Sequence, residues 1–183
     1  MFIQTEATPN PATIKFIPGQ VVMTKGNAEF RDATDTARSP LATRLFRIDG
    51  VSSVFLAADF VSVTRDAGSD WSFLKPQVLA AIMEHYLSGL PVIEGSTDVA
   101  DNGLESEIVI QIRELLDTRV RPSVARDGGD IEFVKFEDGI VWLRMKGACS
   151  GCPSSTATLK LGIENMLKHF IPEVKSVEPY TDY

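Results

Sequence analysis

The pattern of apolar and polar positions predicts two regions of mixed strands and helices, separated by a stretch without periodicity. Residues 92–103 are small and acidic, contain two glycines and follow Gly89 and Pro91, a composition typical of a linker. We therefore expect a first domain over residues 1–91 and a second over residues 104–183. The expected fold class is α/β of the α+β type, with two small domains.

In the first region, short apolar runs alternate with longer amphipathic ones. Strands are predicted over residues 12–17, 21–24, 51–56 and 60–64. The last two are expected to form a hairpin. Ser39 and Pro40 are typical of the N-cap and first position of a helix, which Gly50 ends. A second helix, ended by Gly89, carries an apolar stripe at every fourth position: Val78, Ile82 and Tyr86.

The second region is predicted in the order helix–strand–strand–helix–strand. Its first helix ends near Pro122 and has one apolar face: Ile108, Ile112, Leu115 and Leu116. A hairpin over residues 131–136 and 140–145 is joined by the turn signal Asp138-Gly139. The second helix, stopped by Pro172, carries the stripe Leu159, Ile163, Leu167 and Phe170. Val174 and Val177 indicate a last short strand.

Composition narrows the class of function. The chain of 183 residues has a net charge of −7 and no concentrated Lys/Arg footprint, which argues against nucleic-acid binding. No apolar run approaches the roughly 18–20 residues that span a bilayer. No secretory signal is recognisable, so the expected location is a bacterial cytoplasm, or a mitochondrial matrix for a processed form. No catalytic triad, paired carboxylates or phosphate-binding loop stands out, and we expect no enzyme.

The only two cysteines, Cys149 and Cys152, form a C-x-x-C loop between the predicted hairpin and the second helix. Gly147 and Gly151 let this backbone bend, and Pro153 suits the first turn of the helix that follows. A helix N-terminus favours negative charge, so a lowered thiol pKa is expected here. Because thiolates bind soft metals, the loop is predicted to be a metal or redox site.

Four interpretations compete for this loop. A mononuclear zinc site needs four ligands, and neither His85 nor His169 has the spacing of a zinc-finger partner. A thiol–disulfide oxidoreductase would use Cys149 as the more exposed nucleophile, although its C-x-x-C usually follows a βαβ unit. A pair of buried thiols would gain little packing in a loop of Gly, Pro and Ser. The fourth interpretation is an iron–sulfur cluster.

Ligand number favours the cluster. Iron–sulfur clusters usually bind four thiolates, and one chain supplies half of that number. Two chains related by a two-fold axis would supply all four. A cluster shared at a surface is also easier to release than one enclosed by a single fold. This arrangement suits a carrier that delivers clusters.

The sequence resembles the Nfu family in both regions. The second region carries three motifs of its NifU-like domain: 120–124 (VRPSV) with 127–133 (DGGDIEF), Gly147-x-Cys149-x-x-Cys152-Pro153-Ser154-Ser155, and 158–164 (TLKLGIE). The first region begins with Thr8-Pro9-Asn10-Pro11 followed by Lys15-Phe16, as in the Nfu N-terminal domain. Together these matches extend over nearly the whole chain.

The resemblance implies a protein of iron–sulfur cluster assembly. Cys149 and Cys152 would be the ligands of a cluster shared in a homodimer, usually 4Fe–4S, with 2Fe–2S also compatible with four thiolates. The implied partners are upstream cluster-assembly proteins and client apo-proteins that receive the cluster. The N-terminal domain is implied to help in docking or stability. Trp71, Phe73 and Tyr86 are assigned to its core or rim, with client docking as the alternative.

Overall fold

Strands and helices alternate in both halves of the computed structural model, which describes residues 1–94, 106–150 and 153–180, and the side chains of these apart from residues 153–155. The chain divides into two units, Met1–Asp98 and Val99–Tyr183. Each unit has its own sheet, its own helices and its own apolar core, so the α/β class expected from the sequence is confirmed.

The start of the predicted linker is attached to the first unit. Val92 and Ile93 pack against its core, and the backbone N–H of Glu94 donates to the carbonyl of Arg38 at 2.6 Å. Residues 95–103 lie outside the described residues. The linker over that stretch stays a prediction.

The first unit is an antiparallel sheet of five strands with helices packed on it. The strands are β1 (Gln4–Ala7), β2 (Thr13–Ile17), β3 (Ala28–Phe30), β4 (Val51–Leu56) and β5 (Val61–Arg65), in the order β1-β2-β5-β4-β3. The helices are α1 (Pro40–Phe46) and α2 (Trp71–Ser88), with a 3₁₀ segment at Ala33–Arg38. The predicted hairpin is confirmed as β4 and β5.

Local signals begin α1 and end α2 as predicted, whereas α1 ends at Phe46, four residues before the Gly50 that was expected to end it. The hydroxyl of Ser39 accepts a hydrogen bond from the backbone N–H of Ala42 at 3.1 Å, which caps α1. Gly89 ends α2 in the left-handed conformation, with φ 69°. Both positions follow from the chemistry of one or two residues.

The strand predicted over residues 21–24 is wrong. The N–H groups of Val22 and Met23 both donate to the carbonyl of Ala58, at 2.8 and 3.3 Å, and their side chains are buried in the core. Because both N–H groups donate to one acceptor, this segment does not form the ladder of backbone hydrogen bonds that defines a strand. The strand in this part of the chain is β3, three residues that pair with β4.

The second unit is a three-stranded sheet covered by helices. Its elements are α3 (Glu107–Leu115), a π-helical turn (Leu116–Val120), α4 (Arg121–Arg126), β6 (Gly129–Glu137), β7 (Ile140–Gly147), α5 (Pro153–Phe170) and β8 (Ser176–Pro179). The strand order is β6-β7-β8, with β6 antiparallel and β8 parallel to β7. No described helix is both long and apolar enough to span a membrane.

The predicted hairpin of the second unit is confirmed as β6 and β7. Its turn residues Asp138 and Gly139 both have positive φ, 53° and 82°, as a two-residue hairpin turn requires. Val141, Leu143 and Met145 are buried, whereas Trp142 and Arg144 lie on the other face. The alternation continues to the end of β7, where the cysteine loop begins.

Two helix predictions need correction. Pro122 does not end the helical segment, because the chain continues from α3 through the π-helical turn into α4, and Pro122 lies in the first turn of α4. Phe170, predicted in the apolar stripe of α5, is 46% exposed. Ile171, just after the helix, is buried in the core instead.

Candidate metal centre

Cys149 lies in the short connection between β7 and α5. Gly147 ends β7 with a φ of 63°, which turns the chain away from the sheet. The hydroxyl and the backbone N–H of Ser150 donate to the carbonyl of Gly147, at 2.9 and 3.1 Å. The hydroxyl of Thr156, in α5, donates to the carbonyl of Cys149 at 3.1 Å. These bonds hold the backbone on both sides of the thiol.

Cys152, the other predicted ligand, lies outside the described residues. Its role and that of Cys149 as ligands therefore stay predictions. Neither histidine of the chain lies in this loop. His85 is buried in the first unit, and His169 is exposed on α5 beside Phe170. Among residues 1–94, 106–150 and 153–180, no three or more His, Cys, Asp or Glu side chains form a group suited to a metal ion.

Gly129, the first residue of β6, forms the surface on which Cys149 rests. A β-carbon built at Gly129 would lie 2.5 Å from the Sγ of Cys149, 2.7 Å from the carbonyl oxygen of Lys146 and 2.9 Å from the backbone nitrogen of Cys149. All three distances are shorter than atoms tolerate, so only glycine fits. The N–H of Ala148 also donates to the carbonyl of Gly128 at 3.2 Å.

In the sequence, these glycines were recognised only as part of the motif 127–133 (DGGDIEF). Their separate tasks are visible in the structure: Gly128 has a φ of 79°, and Gly129 permits the close approach of Cys149. Two adjacent glycines before a strand were the available signal. The sequence did not indicate that the cysteine loop, a later segment of the chain, would pack against these glycines.

Cys149 is buried, with 6% of its surface exposed. Burial raises the pKa of its thiol to about 12, and the carboxylates of Asp127 and Asp130 act in the same direction. The lowered thiol pKa expected at the start of α5 is therefore wrong for Cys149. The thiol of Cys149 is covered and protonated near neutral pH, unlike the nucleophile of a disulfide exchanger. That Cys149 is the more exposed of the two cysteines stays a prediction, because Cys152 lies outside the described residues.

Asp130 and Arg121 connect α4 to the start of β6. The Nε of Arg121 lies 3.4 Å from the Oδ1 of Asp130, and its guanidinium donates to the carbonyl of Ile131 at 3.4 Å. Burial raises the pKa of Asp130 in spite of Arg121 and Lys146. This carboxyl group is thus partly desolvated beside the thiol, and it disfavours additional negative charge there.

Comparison with known protein families matches each of the two units to a family. The family described as "Scaffold protein Nfu/NifU N terminal" matches residues 3–89, and the family described as "NifU-like domain" matches residues 112–178. The chain belongs to the Nfu family. Its two Nfu domains occur in the order that the sequence motifs predicted.

Relatives of this Nfu chain match it from end to end. A protein of Drosophila ananassae named "NFU1 iron-sulfur cluster scaffold homolog, mitochondrial" is 52% identical over 186 residues, covering 100% of this chain and 65% of that protein. The protein of the same name from Drosophila erecta is 51% identical, covering 100% of this chain and 66% of that protein. This Nfu chain therefore spans just under two thirds of the length of these curated relatives.

One solved structure with a related name overlaps this Nfu chain only in part. The NifU-like protein of Saccharomyces cerevisiae is 23% identical with a TM-score of 0.47, covering 54% of this chain and 87% of that chain. An overlap of this size supports no functional comparison.

Proposed function

We propose that this Nfu chain carries an iron–sulfur cluster as cargo and delivers it to apo-proteins. The cluster is bound by Cys149 and Cys152 together with the same pair from a second copy. The observation that carries this proposal is ligand number: the chain has two cysteines, both in one C-x-x-C loop of a NifU-like domain. A cluster that needs four thiolates obtains the other two from a second copy.

The surroundings of Cys149 define what cluster uptake requires. At neutral pH the thiol is protonated, because its pKa is raised to about 12, so binding to iron releases a proton. Its sulfur rests against Gly129 with little exposed surface.

Delivery proceeds by exchange of ligands. A thiolate of the client bonds to an iron atom as the sulfur of Cys149 or Cys152 leaves and takes up a proton. Each exchange replaces one iron–sulfur bond with another and leaves the oxidation states of iron and sulfide unchanged. No general acid or base is needed in this sequence. The protein therefore acts as a carrier, with no catalytic residue.

The cargo that we propose is 4Fe–4S, as the family resemblance implies, and 2Fe–2S has the same ligand requirement. The partners are upstream assembly proteins, which supply the cluster, and client apo-proteins, which receive it. Two locations remain predicted: a bacterial cytoplasm, and a mitochondrion, the compartment in the relatives' names.

The second candidate is a thiol–disulfide oxidoreductase. Such an enzyme needs an accessible thiolate with a pKa near or below the ambient pH. Cys149 has the opposite properties, since it is buried and its pKa is raised. The burial and the raised pKa of Cys149 thus argue against the oxidoreductase, and the carrier rests on ligand number and family.

Anaerobic reconstitution with ferrous iron and sulfide tests the carrier. We expect a brown protein with four iron and four acid-labile sulfide per two chains, and a shift from monomer to dimer on size exclusion. Cys149→Ser and Cys152→Ser should each lose the cluster. Ser150→Ala, which keeps both thiols and removes only one hydrogen bond to Gly147, should retain it. Colourless, monomeric wild-type protein, or a Cys149→Ser variant with a full cluster, would contradict the proposal.

A further inference from the structure

The long helix of the first unit, α2 (Trp71–Ser88), is apolar on two opposite sides. Its inner side is buried against α1 and the core of the unit: Leu74, Val78, Ala81, Ile82 and His85. Its outer side carries a second apolar row, here called the outer stripe. The outer stripe consists of Phe73, Pro76, Ala80, Met83 and Leu87, continued just beyond the helix by Leu90. All six residues are exposed.

The outer stripe has the spacing of a helix-pairing surface. The five members within the helix follow one another at intervals of three and four residues, the a and d positions of a heptad, which lie along one face of a helix. Leu90 follows the left-handed Gly89 and lies outside this spacing. Phe73 and Leu87 are 76% and 79% exposed, so the outer stripe forms a contiguous exposed apolar row rather than isolated apolar residues. Because only the inner side of α2 is covered, the apolar row on its opposite side has no packing partner within the described first unit.

We propose that the outer stripe pairs α2 with α2 of a second copy in antiparallel orientation. In an antiparallel pair, each residue at heptad position a of one helix faces a residue at position d of the other helix. Ala80 then lies opposite Met83 of the second copy, and Pro76 lies opposite Leu87. The stripe is therefore complementary to itself about a two-fold axis, with small residues opposite large ones, as an isologous contact requires.

Charge also favours a second copy over a client helix. The outer stripe contains no charged residue, and the flank beside Ala80 and Met83 is formed by Gln77 and Glu84. The carboxylate of Glu84 is already paired with the guanidinium of Arg44 at 2.9 Å. A charged client helix would find little to bind on this surface, whereas two copies bring no like charges directly together.

The size of the outer stripe sets the strength of the contact. From the exposed fractions of its large side chains, it offers roughly 400–500 Å², about half of the ~800 Å² per partner in a standard stable interface. The pairing is therefore weak and reversible. It involves no residue of the cysteine loop and does not depend on the proposed cargo.

Sedimentation equilibrium of the metal-free, reduced full chain, from about 10 μM to about 1 mM, tests this pairing. We expect a monomer–dimer equilibrium that Leu87→Glu weakens at least tenfold. Leu161→Glu places the same charge on an exposed leucine of the other unit and should leave the equilibrium unchanged. The double variant Cys149→Ser/Cys152→Ser should also associate like the wild type, which separates this test from that of the cluster.

A distance measurement tests the orientation. A nitroxide on Ser72→Cys, in the cysteine-free background, should report a separation of about 30 Å in the antiparallel pair and about 10–15 Å in a parallel one. Circular dichroism of Leu87→Glu verifies that the variant is folded. Wild-type chain that stays monomeric at the highest concentration would overturn the proposal. An unweakened Leu87→Glu variant or the short label distance would do so as well.

Discussion

The sulfur of Cys149 rests on the α-carbon side of Gly129, in the space that a β-carbon would occupy: one built there would lie 2.5 Å from that sulfur. The contact joins the first residue of β6 to the loop that follows β7. A glycine twenty residues before the cysteine thus decides where the candidate ligand lies. The position of the thiol can therefore be tested by changing Gly129, without removing Cys149.

Replacing Gly129 with alanine should disturb the cysteine loop. The added methyl overlaps both the sulfur and the backbone of Cys149, and overpacking of this kind costs about 1–3 kcal/mol. We expect the free energy of unfolding to fall by that amount in urea. Iron bound per dimer after anaerobic reconstitution should fall as well, because the sulfur is displaced.

Gly162→Ala is the matched control for this change. Gly162 lies within α5, and a β-carbon there meets nothing within 4 Å. Alanine should therefore stabilise the helix, by about 0.5–1 kcal/mol, and leave the bound iron unchanged. If both alanine variants had the same effect, the close packing at Gly129 would not be the cause.

The thiol of Cys149 should react slowly with iodoacetamide in the metal-free protein. In a Cys152→Ser background it is the sole thiol, and its pKa of about 12 leaves little thiolate at pH 8. The alkylation rate, followed by mass spectrometry, should lie well below that of the urea-unfolded chain and should rise with pH beyond 9.

Neighbouring carboxylates should contribute to this protection. Asp127→Asn and Asp130→Asn each remove a negative charge that raises the pKa of Cys149, so each should speed alkylation at pH 8. Asp138→Asn is the control, because Asp138 lies in the distant hairpin turn at a positive φ that asparagine adopts readily. Equal rates in all three variants would show that these two charges have no influence on the thiol.

His85 should make the first unit sensitive to acid. Its side chain is fully buried, and neither ring nitrogen has a hydrogen-bond partner among the described residues. Burial, with a smaller contribution from Arg44, lowers the pKa of His85 in the folded protein. Unfolding raises that pKa again, so the unfolded chain binds a proton first as the pH falls below about 6.5.

The contribution of neutral His85 to the free energy of unfolding is therefore fully present above about pH 6.5. It decreases toward pH 5, by at most about 1.4 kcal/mol per pH unit. His85→Leu should flatten this slope in urea unfolding followed at several pH values. His169→Gln changes an exposed histidine and should keep the wild-type slope. A His85→Leu slope as steep as that of the wild type would contradict the assignment.

Limited proteolysis should cut the chain first within residues 95–103. Residues 92–94 are attached to the first unit, and the division between the units falls at Asp98 and Val99. We expect two fragments that each retain their circular dichroism and unfold cooperatively. First cleavage inside either unit would contradict the predicted linker.

Local chemistry explains most of the successful predictions. Ser39 with Pro40 and the turn at Asp138-Gly139 depend on neighbouring residues alone, and a few consecutive positions suffice to recognise them. The edge strand β1, Gln4–Ala7, gave no such signal, because its polar residues become a strand only by pairing with β2. The strand prediction over residues 21–24 was wrong for the converse reason. The N–H groups of Val22 and Met23 both donate to the carbonyl of Ala58, which is distant in sequence.

The amino-acid sequence by itself determined the two domains' family, the order of the elements around the cysteine loop and the number of thiols available to a cluster. Those properties depend on residue identity and spacing along the chain. Only the tertiary structure decided that Cys149 is buried against Gly129, with a raised pKa. Solvent exclusion and the approach of Asp127 and Asp130 arise when β6, β7 and their loop pack together, and no local pattern contains that geometry.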